Sequence, residues 1–346
     1  MNEIAIGIDE INAAAALLHG HADYLPGKRE PIILHTPLLF AETLSKTLGC
    51  RVWLKLESLQ KTGSYKLRGA FNNMANLDPA VRERGVVTAS AGNHAQGVAY
   101  AAEVYGVAGR STIFVPRGTP TVKIENTRSY GVEVEEIGAT FDQAREAAYI
   151  AAKESNRVFI EPFDDWKTIA GQGTIGLEII EDLPETSAII VPVGGGGVIA
   201  GIAIAAHALA PAVTVIGAQA TGADSMIRSV VLGVQTALPG LPETEIADGI
   251  KVREPGLRPF LVANELMDAG RFVRVEDSET ISAVADLLMM SKIVAEGAGA
   301  IGIAALRVIQ EGRAETVAPF PPDANVVVVI SGANIDPSFT WRILYE

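Results

Sequence analysis

The sequence predicts an α/β protein of two doubly wound lobes with mostly parallel sheets. Three observations carry that prediction. Short β-branched runs alternate with segments of helical spacing through most of the 346 residues, the pattern of successive βα units. Runs such as "AIIVPV" and "NVVVVIS" are apolar at consecutive positions, as strands covered on both faces require. Four loops of unusual composition follow such runs, where ligands gather in this class of sheet.

In chain order, strands are expected at 51–58 ("RVWLKLES"), 85–90 ("GVVTAS"), 111–116 ("STIFVP"), 132–137 ("VEVEEI") and 157–162 ("RVFIEP"). Four more are expected at 188–193 ("AIIVPV"), 213–219 ("VTVIGAQ"), 271–276 ("RFVRVE") and 325–331 ("NVVVVIS"). Each is rich in the branched residues that suit a pleated surface. "HAQGVAYAAEVYG" and "FDQAREAAYIAAKES" have helical spacing between them. Residues 85–162 form a compact βα run, expected as a small lobe set into a larger one made of 1–84 and 163–346. There is no internal repeat, low-complexity tract or long linker.

Composition narrows the function. Apolar residues make up 48%, glycines number 34, and the net charge is −13. An acidic surface repels nucleic acid and anionic membranes, so neither is an expected partner. A small anion held locally is not excluded. The single cysteine, Cys50, allows no internal disulfide or zinc cluster and is expected as a small core residue, in keeping with a reducing cytoplasm. "MNEIAIGIDE" lacks the apolar segment of a signal peptide. Residues 188–223 carry no Asp, Glu, Lys or Arg, but Pro192, Gly194 to Gly197, Gly201 and Pro211 interrupt them. They divide into strand, glycine loop, helix and strand rather than a membrane span.

The first loop holds Ser64-Tyr65-Lys66 at a helix start. Read alone, Lys66 is either a surface lysine or a nucleophile, because the helix dipole and partial burial both favour its neutral amine. Lys61 and Arg68 are expected as solvent-facing charges. The second loop, "SAGNHAQG" (90–97), sets Ser, Asn and main-chain N–H groups at a helix start. This is a cradle for a carboxylate or an ordinary cap. His94 is a general base or, preferably, a hydrogen-bonded helix residue. In the third loop Gly194, Gly195, Gly196 and Gly197 expose consecutive N–H groups before a helix, a phosphate site. Gly195 to Ala200 also fit the dinucleotide pattern, but Gln219 stands where that pattern needs an acid, so a bare phosphate is preferred. In the fourth loop Ser331 ends a buried strand and offers a hydroxyl to a ring nitrogen.

Together "TGSYKLRGA", "SAGNHAQG", "AGQGTIGLEI", "VGGGGVIAGIA", "ADGI", "EGAGA" and "SGANID" resemble, in this order, the threonine/serine dehydratase (serine racemase-like) branch of fold type II pyridoxal-phosphate enzymes. The resemblance runs from His35 to Asp336. It implies a pyridoxal 5′-phosphate cofactor bound as a Schiff base to Lys66, with Tyr65 where the family usually has Phe. It places Asn93 on the cofactor's 3′-oxygen, the four glycines on its phosphate and Ser331 on its pyridine nitrogen. Ser64, Ser90, Asn93 and His94 would surround the substrate carboxylate. The small lobe falls at about 85–162, and the short catabolic form without a regulatory extension is expected.

The implied reaction is β-elimination from a small 3-hydroxy amino acid, L-threonine or L-serine first, giving a 2-oxo acid and ammonia in a cytoplasmic homo-oligomer, dimer or tetramer. A serine on the ring nitrogen, unlike a carboxylate, holds no proton there, which favours elimination over transamination. Ala91 stands where racemases of this branch place a second serine. Gln219 and Ser225 replace the acids with which those racemases bind a divalent ion, so no metal is expected. Ala333 replaces a common glycine. Leu67 stands where β-replacement synthases usually have Asp. The remaining alternatives are a dehydratase for 3-hydroxyaspartate or a phenylserine, a serine racemase-like enzyme, a β-replacement synthase and a silent ligand-binding module.

Overall fold

The computed structural model describes residues 3–19 and 31–335; Asp336 of the "SGANID" segment lies outside them. In chain order the helices and strands are α1 (Ile8–His19), β1 (Leu38–Phe40), α2 (Glu42–Leu48), β2 (Arg51–Lys55), α3 (Lys66–Ala75), α4 (Pro79–Arg82), β3 (Val86–Ala89) and α5 (Asn93–Val104). Then come β4 (Thr112–Val115), α6 (Thr121–Arg128), β5 (Glu133–Glu136), α7 (Phe141–Glu154), β6 (Val158–Phe159), α8 (Trp166–Asp182), β7 (Ala188–Pro192) and α9 (Gly197–Leu209). The chain continues through β8 (Thr214–Ala220), α10 (Ser225–Leu232), α11 (Leu257–Leu266), β9 (Phe272–Val275), α12 (Asp277–Asp286), α13 (Gly297–Gln310) and β10 (Asn325–Val329).

A six-stranded sheet runs in the order β1-β2-β10-β7-β8-β9, and a four-stranded sheet in the order β5-β4-β3-β6. All pairings are parallel except β1 on β2. Each of the nine expected strands is present, with 157–162 reduced to the two residues of β6. The unexpected strand is β1, three residues added antiparallel at the sheet edge.

Consecutive apolar residues in the central strands serve both faces of the large sheet. Val326 and Val328 join one buried cluster with α13, while Val327 and Val329 join another with α8 and α9. The small sheet is covered likewise. Val86 and Ile113 pack with α3 and α5, and Val87 and Phe114 with α7. Cys50 is buried in the large core, and burial pushes its thiol up to about 11.

The "AGQGTIG" segment of α8 has a packing cause. A Cβ on Gly171 would lie 2.7 Å from the Arg68 carbonyl oxygen of α3, and one on Gly201 of α9 would lie 2.5 Å from the Gly173 nitrogen. Side chains at these crossings would hold the helices apart, so α8 is wedged by bare backbone between α3 and α9. The start of α8 is fixed by Asp165, which accepts from the N–H groups of Lys167 (2.8 Å) and Thr168 (3.0 Å), an N-cap. Among the described residues, no helix is long and apolar enough to cross a membrane.

Candidate active site

The four loops leave the carboxyl ends of β2, β3, β7 and β10. Lys66 is the first residue of α3 and is partly buried. Its Nζ donates to the Pro162 carbonyl at 2.9 Å and lies 5.3 Å from the Tyr65 ring centre and 5.9 Å from that of Phe163. Burial lowers its pKa to about 8, against the opposing pull of Glu296. Burial lifts the Tyr65 phenol far above its ordinary value, helped by the Glu296 charge.

Phe163 joins two of the loops. Its ring occupies the place a Cβ on Gly195 would take, with Cγ only 2.3 Å from that point. The aromatic ring over the Lys66 ammonium therefore also roofs the glycine loop. Gly196 has φ +94° and would press a Cβ against Met226 Cε at 2.4 Å, so this turn needs glycine. The N–H groups of Gly194, Gly195 and Gly196 donate to no other backbone group among the described residues. The loop opens directly into α9, whose dipole favours an anion there.

Ser331 is buried after β10 and donates to the Ala298 carbonyl at 3.3 Å. Ser64 is fully buried, and its hydroxyl has no partner. Its backbone bridges Gly332, which joins the first loop to the fourth. Ser90 is partly buried and accepts from the Gly92 N–H at 3.2 Å. It makes a local turn rather than a cap, since the N-cap of α5 is Gly92, without a side-chain bond.

His94 Nε2 meets the Ile160 carbonyl at 3.0 Å. Burial, reinforced by Lys66, lowers its pKa to about 3. It is a neutral, hydrogen-bonded helix residue, and its buried Nδ1 lacks a partner. Asn93 opens α5 and donates to Glu296 at 2.6 Å.

One expectation is overturned. Arg68 is no solvent-facing charge: it is fully buried, with Nε and Nη2 each 2.8 Å from Glu57 and Nη1 and Nη2 at 2.5 and 2.9 Å from Glu178. Lys55, also buried, reaches Glu178 at 2.7 Å. An aqueous guanidinium would be lost to the core without these acids; with them it anchors α3. Lys61 is partly buried.

Three residues to which the sequence pattern gave no role stand in this site: Phe163, Glu296 and Asn334. Glu296 left a readable signal, being the only charged residue between Ile293 and Leu306. Gln219 is committed elsewhere: its amide donates to the Ala223 carbonyl and accepts from the Ile227 N–H.

Residues 30–332 match the family model described as pyridoxal-phosphate dependent enzyme. The chain is 44% identical over 313 residues to the L-threonine ammonia-lyase of Thermotoga maritima, covering 90% of this chain and 74% of that protein. Among solved structures, the processed form of threonine deaminase isoform 2 from Solanum lycopersicum superposes with a TM-score of 0.86 at 34% identity, covering 99% of this chain and 91% of that one. Maize serine racemase does so with a TM-score of 0.86 at 31% identity, covering 99% and 97%.

Proposed function

The chain belongs to the pyridoxal-phosphate dependent enzymes, and from that premise we propose that it is an ammonia-lyase that eliminates the β-hydroxyl of a 3-hydroxy amino acid, L-threonine or L-serine first, as water. Water then hydrolyses the released enamine to a 2-oxo acid and ammonia. The observation that carries this is the weakly basic Lys66 amine, separated from a loop of undonated glycine N–H groups by the ring of Phe163. The residues fit the cofactor. Unpartnered N–H groups at the start of α9 suit its phosphate, and the orphaned Ser64 hydroxyl and His94 Nδ1 suit polar atoms brought by a ligand.

Bound pyridoxal phosphate supplies the electron sink that stabilises charge at the substrate's α-carbon. Lys66 would hold the cofactor through Nζ, and its amine, when free, would take the proton from the substrate's Cα. Pro162 orients that nitrogen through its carbonyl. Ser64, Ser90 and Asn93 would hold the substrate carboxylate beside His94. With its Nε2–H given to the Ile160 carbonyl, neutral His94 keeps only an acceptor at Nδ1 and can meet a ligand N–H or O–H but not the carboxylate itself. Tyr65 and Phe163 exclude water. Ser331 would meet the ring nitrogen with a hydroxyl that adds no formal charge, turning its hydrogen from the Ala298 carbonyl to do so. Ala91 has no proton to exchange on the opposite side, which disfavours racemisation.

The division into a large unit and a small one at 85–162 follows the two sheets and is part of the same proposal, as are the cytoplasmic location and a homo-oligomeric assembly. Exposed Val231, Leu232 and Val234 at the end of α10 support the assembly, because exposed apolar patches mark contacts. Light scattering tests it. The function is tested by incubating the holoenzyme with a panel of 3-hydroxy amino acids and quantifying 2-oxo acid and ammonia. Release of neither from threonine or serine defeats it.

A further inference from the structure

Glu296 occupies the N-cap position of α13, yet its side chain caps nothing there. The carboxylate turns away from its own helix and accepts from Asn93 Nδ2 at 2.6 Å. The space around it is closed: a Cβ on Gly332 would lie 2.5 Å from Oε1, and one on Gly249 3.5 Å from it. The far side of the Asn93 carboxamide is held as well. Its Oδ1 accepts from Asn334 Nδ2 at 2.7 Å, and the same Asn334 nitrogen donates to the Thr62 carbonyl at 2.9 Å.

This chain of bonds has one direction. The Thr62 atom at this contact is its main-chain carbonyl oxygen, which only accepts, so Asn334 turns its nitrogen that way and toward Asn93. Asn93 must then present oxygen to Asn334 and nitrogen to Glu296. Reversing either amide would set like groups against each other. The arrangement uses one N–H of Asn93 and leaves its second for a ligand.

We propose that Glu296 is a positioning residue that orients the Asn93 carboxamide toward the cofactor's 3′-oxygen and couples that orientation to its own protonation. The proposal rests on the ammonia-lyase reading and adds a control of the site that the reading does not contain. Burial raises the Glu296 pKa to about 7, opposed by the Asn93 bond and by Lys123, with Asp248 raising it further and Lys66 lowering it. The groups facing the carboxyl are therefore Lys66 of α3 and Tyr65 just before it, Asn93 of α5, Lys123 of α6 and Asp248 of the turn Asp248–Ile250. Lys123 and Asp248 approach each other at 3.6 Å. Across neutral pH the acceptor of Asn93 changes from a neutral acid to a carboxylate, and a charged acceptor bonds about twice as strongly.

The test compares wild type, E296Q and E296A reconstituted with pyridoxal phosphate. It reads the absorbance of the lysine-bound cofactor against pH, and the cofactor's Kd by titration into the apo chain. Wild type is expected to titrate across neutral pH. E296Q, which keeps an acceptor oxygen but cannot ionise, should bind the cofactor and lose that titration. E296A, which strands the Asn93 nitrogen, should raise the Kd about tenfold. A merely structural Glu296 would shift thermal midpoints and leave the titration in place. E296Q titrating as wild type does, or E296A holding the cofactor as tightly as wild type, overturns the proposal. If E296A does not fold, E296Q decides alone. Absence of any lysine-bound absorbance in wild type would remove the ammonia-lyase reading and this inference with it.

Discussion

Arg68 and Glu178 face each other in the core as a bidentate pair, with contacts of 2.5 and 2.9 Å between helices α3 and α8. Two residues before that guanidinium stands Lys66, so one turn of helix carries a buried anchor on one side and the site amine on the other.

Removing the anchor leaves two acids without their main counter-charge. R68A is expected to cost about 3–5 kcal/mol of stability, measured by urea unfolding of the apo chain. R68K should recover little, because an ammonium cannot span both carboxylates. A loss under 1 kcal/mol (about one surface ion pair) would show the network to be dispensable.

Glu178 should also set an acid limit. Burial works against its ionisation, but Arg68, His19 and Lys55 outweigh it and hold its carboxyl below the usual range. Because the folded value is depressed, the stability it contributes is complete above the ordinary value of 4.5 and is lost as pH falls below that. Melting temperature followed through the acid range should fall less steeply in E178Q than in wild type. Parallel curves would assign acid sensitivity to another group.

The Lys66 amine should capture its cofactor at unusually low pH. Only the neutral amine attacks an aldehyde, and its pKa is lowered to about 8. The rate of pyridoxal-phosphate uptake by the apo chain should rise with pH through a midpoint near that value, two to three units below an ordinary lysine's, about 10.4. K66A should show no lysine-bound absorbance, and its turnover should fall about 10³-fold or more. A midpoint near that of free lysine would mean that the amine is not shielded.

Chelation should leave turnover untouched. Gln219 spends its amide on the Ala223 carbonyl and the Ile227 N–H, Ser225 donates to the Val252 carbonyl, and Asp224 binds Arg228 and Arg274. Such a set offers poor ligands to a hard cation. Activity lost on exhaustive chelation and restored by magnesium would contradict this.

The strands were legible because parallel strands covered on both faces leave an unbroken apolar record, as in β7 and β10. β1 was not, since three edge residues bury too little to leave a pattern. Lys66 read alone stays open between surface lysine and nucleophile and takes its role from the resemblance of all the loops together, whereas the glycine loop could be read from composition beside a strand end. Arg68 could not: its second acid lies 110 positions away, and no local feature separates a solvated arginine from a caged one. His94 shows the same limit: its neutrality is set by burial and by Lys66, and its ring is held by a carbonyl 66 positions away. Glu296 and Asn334 were visible as residue types, but their roles exist only where α13, α5 and the end of β10 converge.

The bare-backbone crossings of α8 act as a gauge. At the two crossing points, where Gly171 meets the Arg68 carbonyl and Gly201 meets Gly173, no side chain stands between the helices. The backbone thickness of α8 there sets the separation of the Lys66 amine from the glycine turn proposed to hold the phosphate. A single methyl at position 171 or 201 should therefore do more than loosen the core. It should lengthen the span that the cofactor must bridge from aldehyde to phosphate, so that affinity for pyridoxal phosphate falls further than for a shorter fragment anchored at only one end.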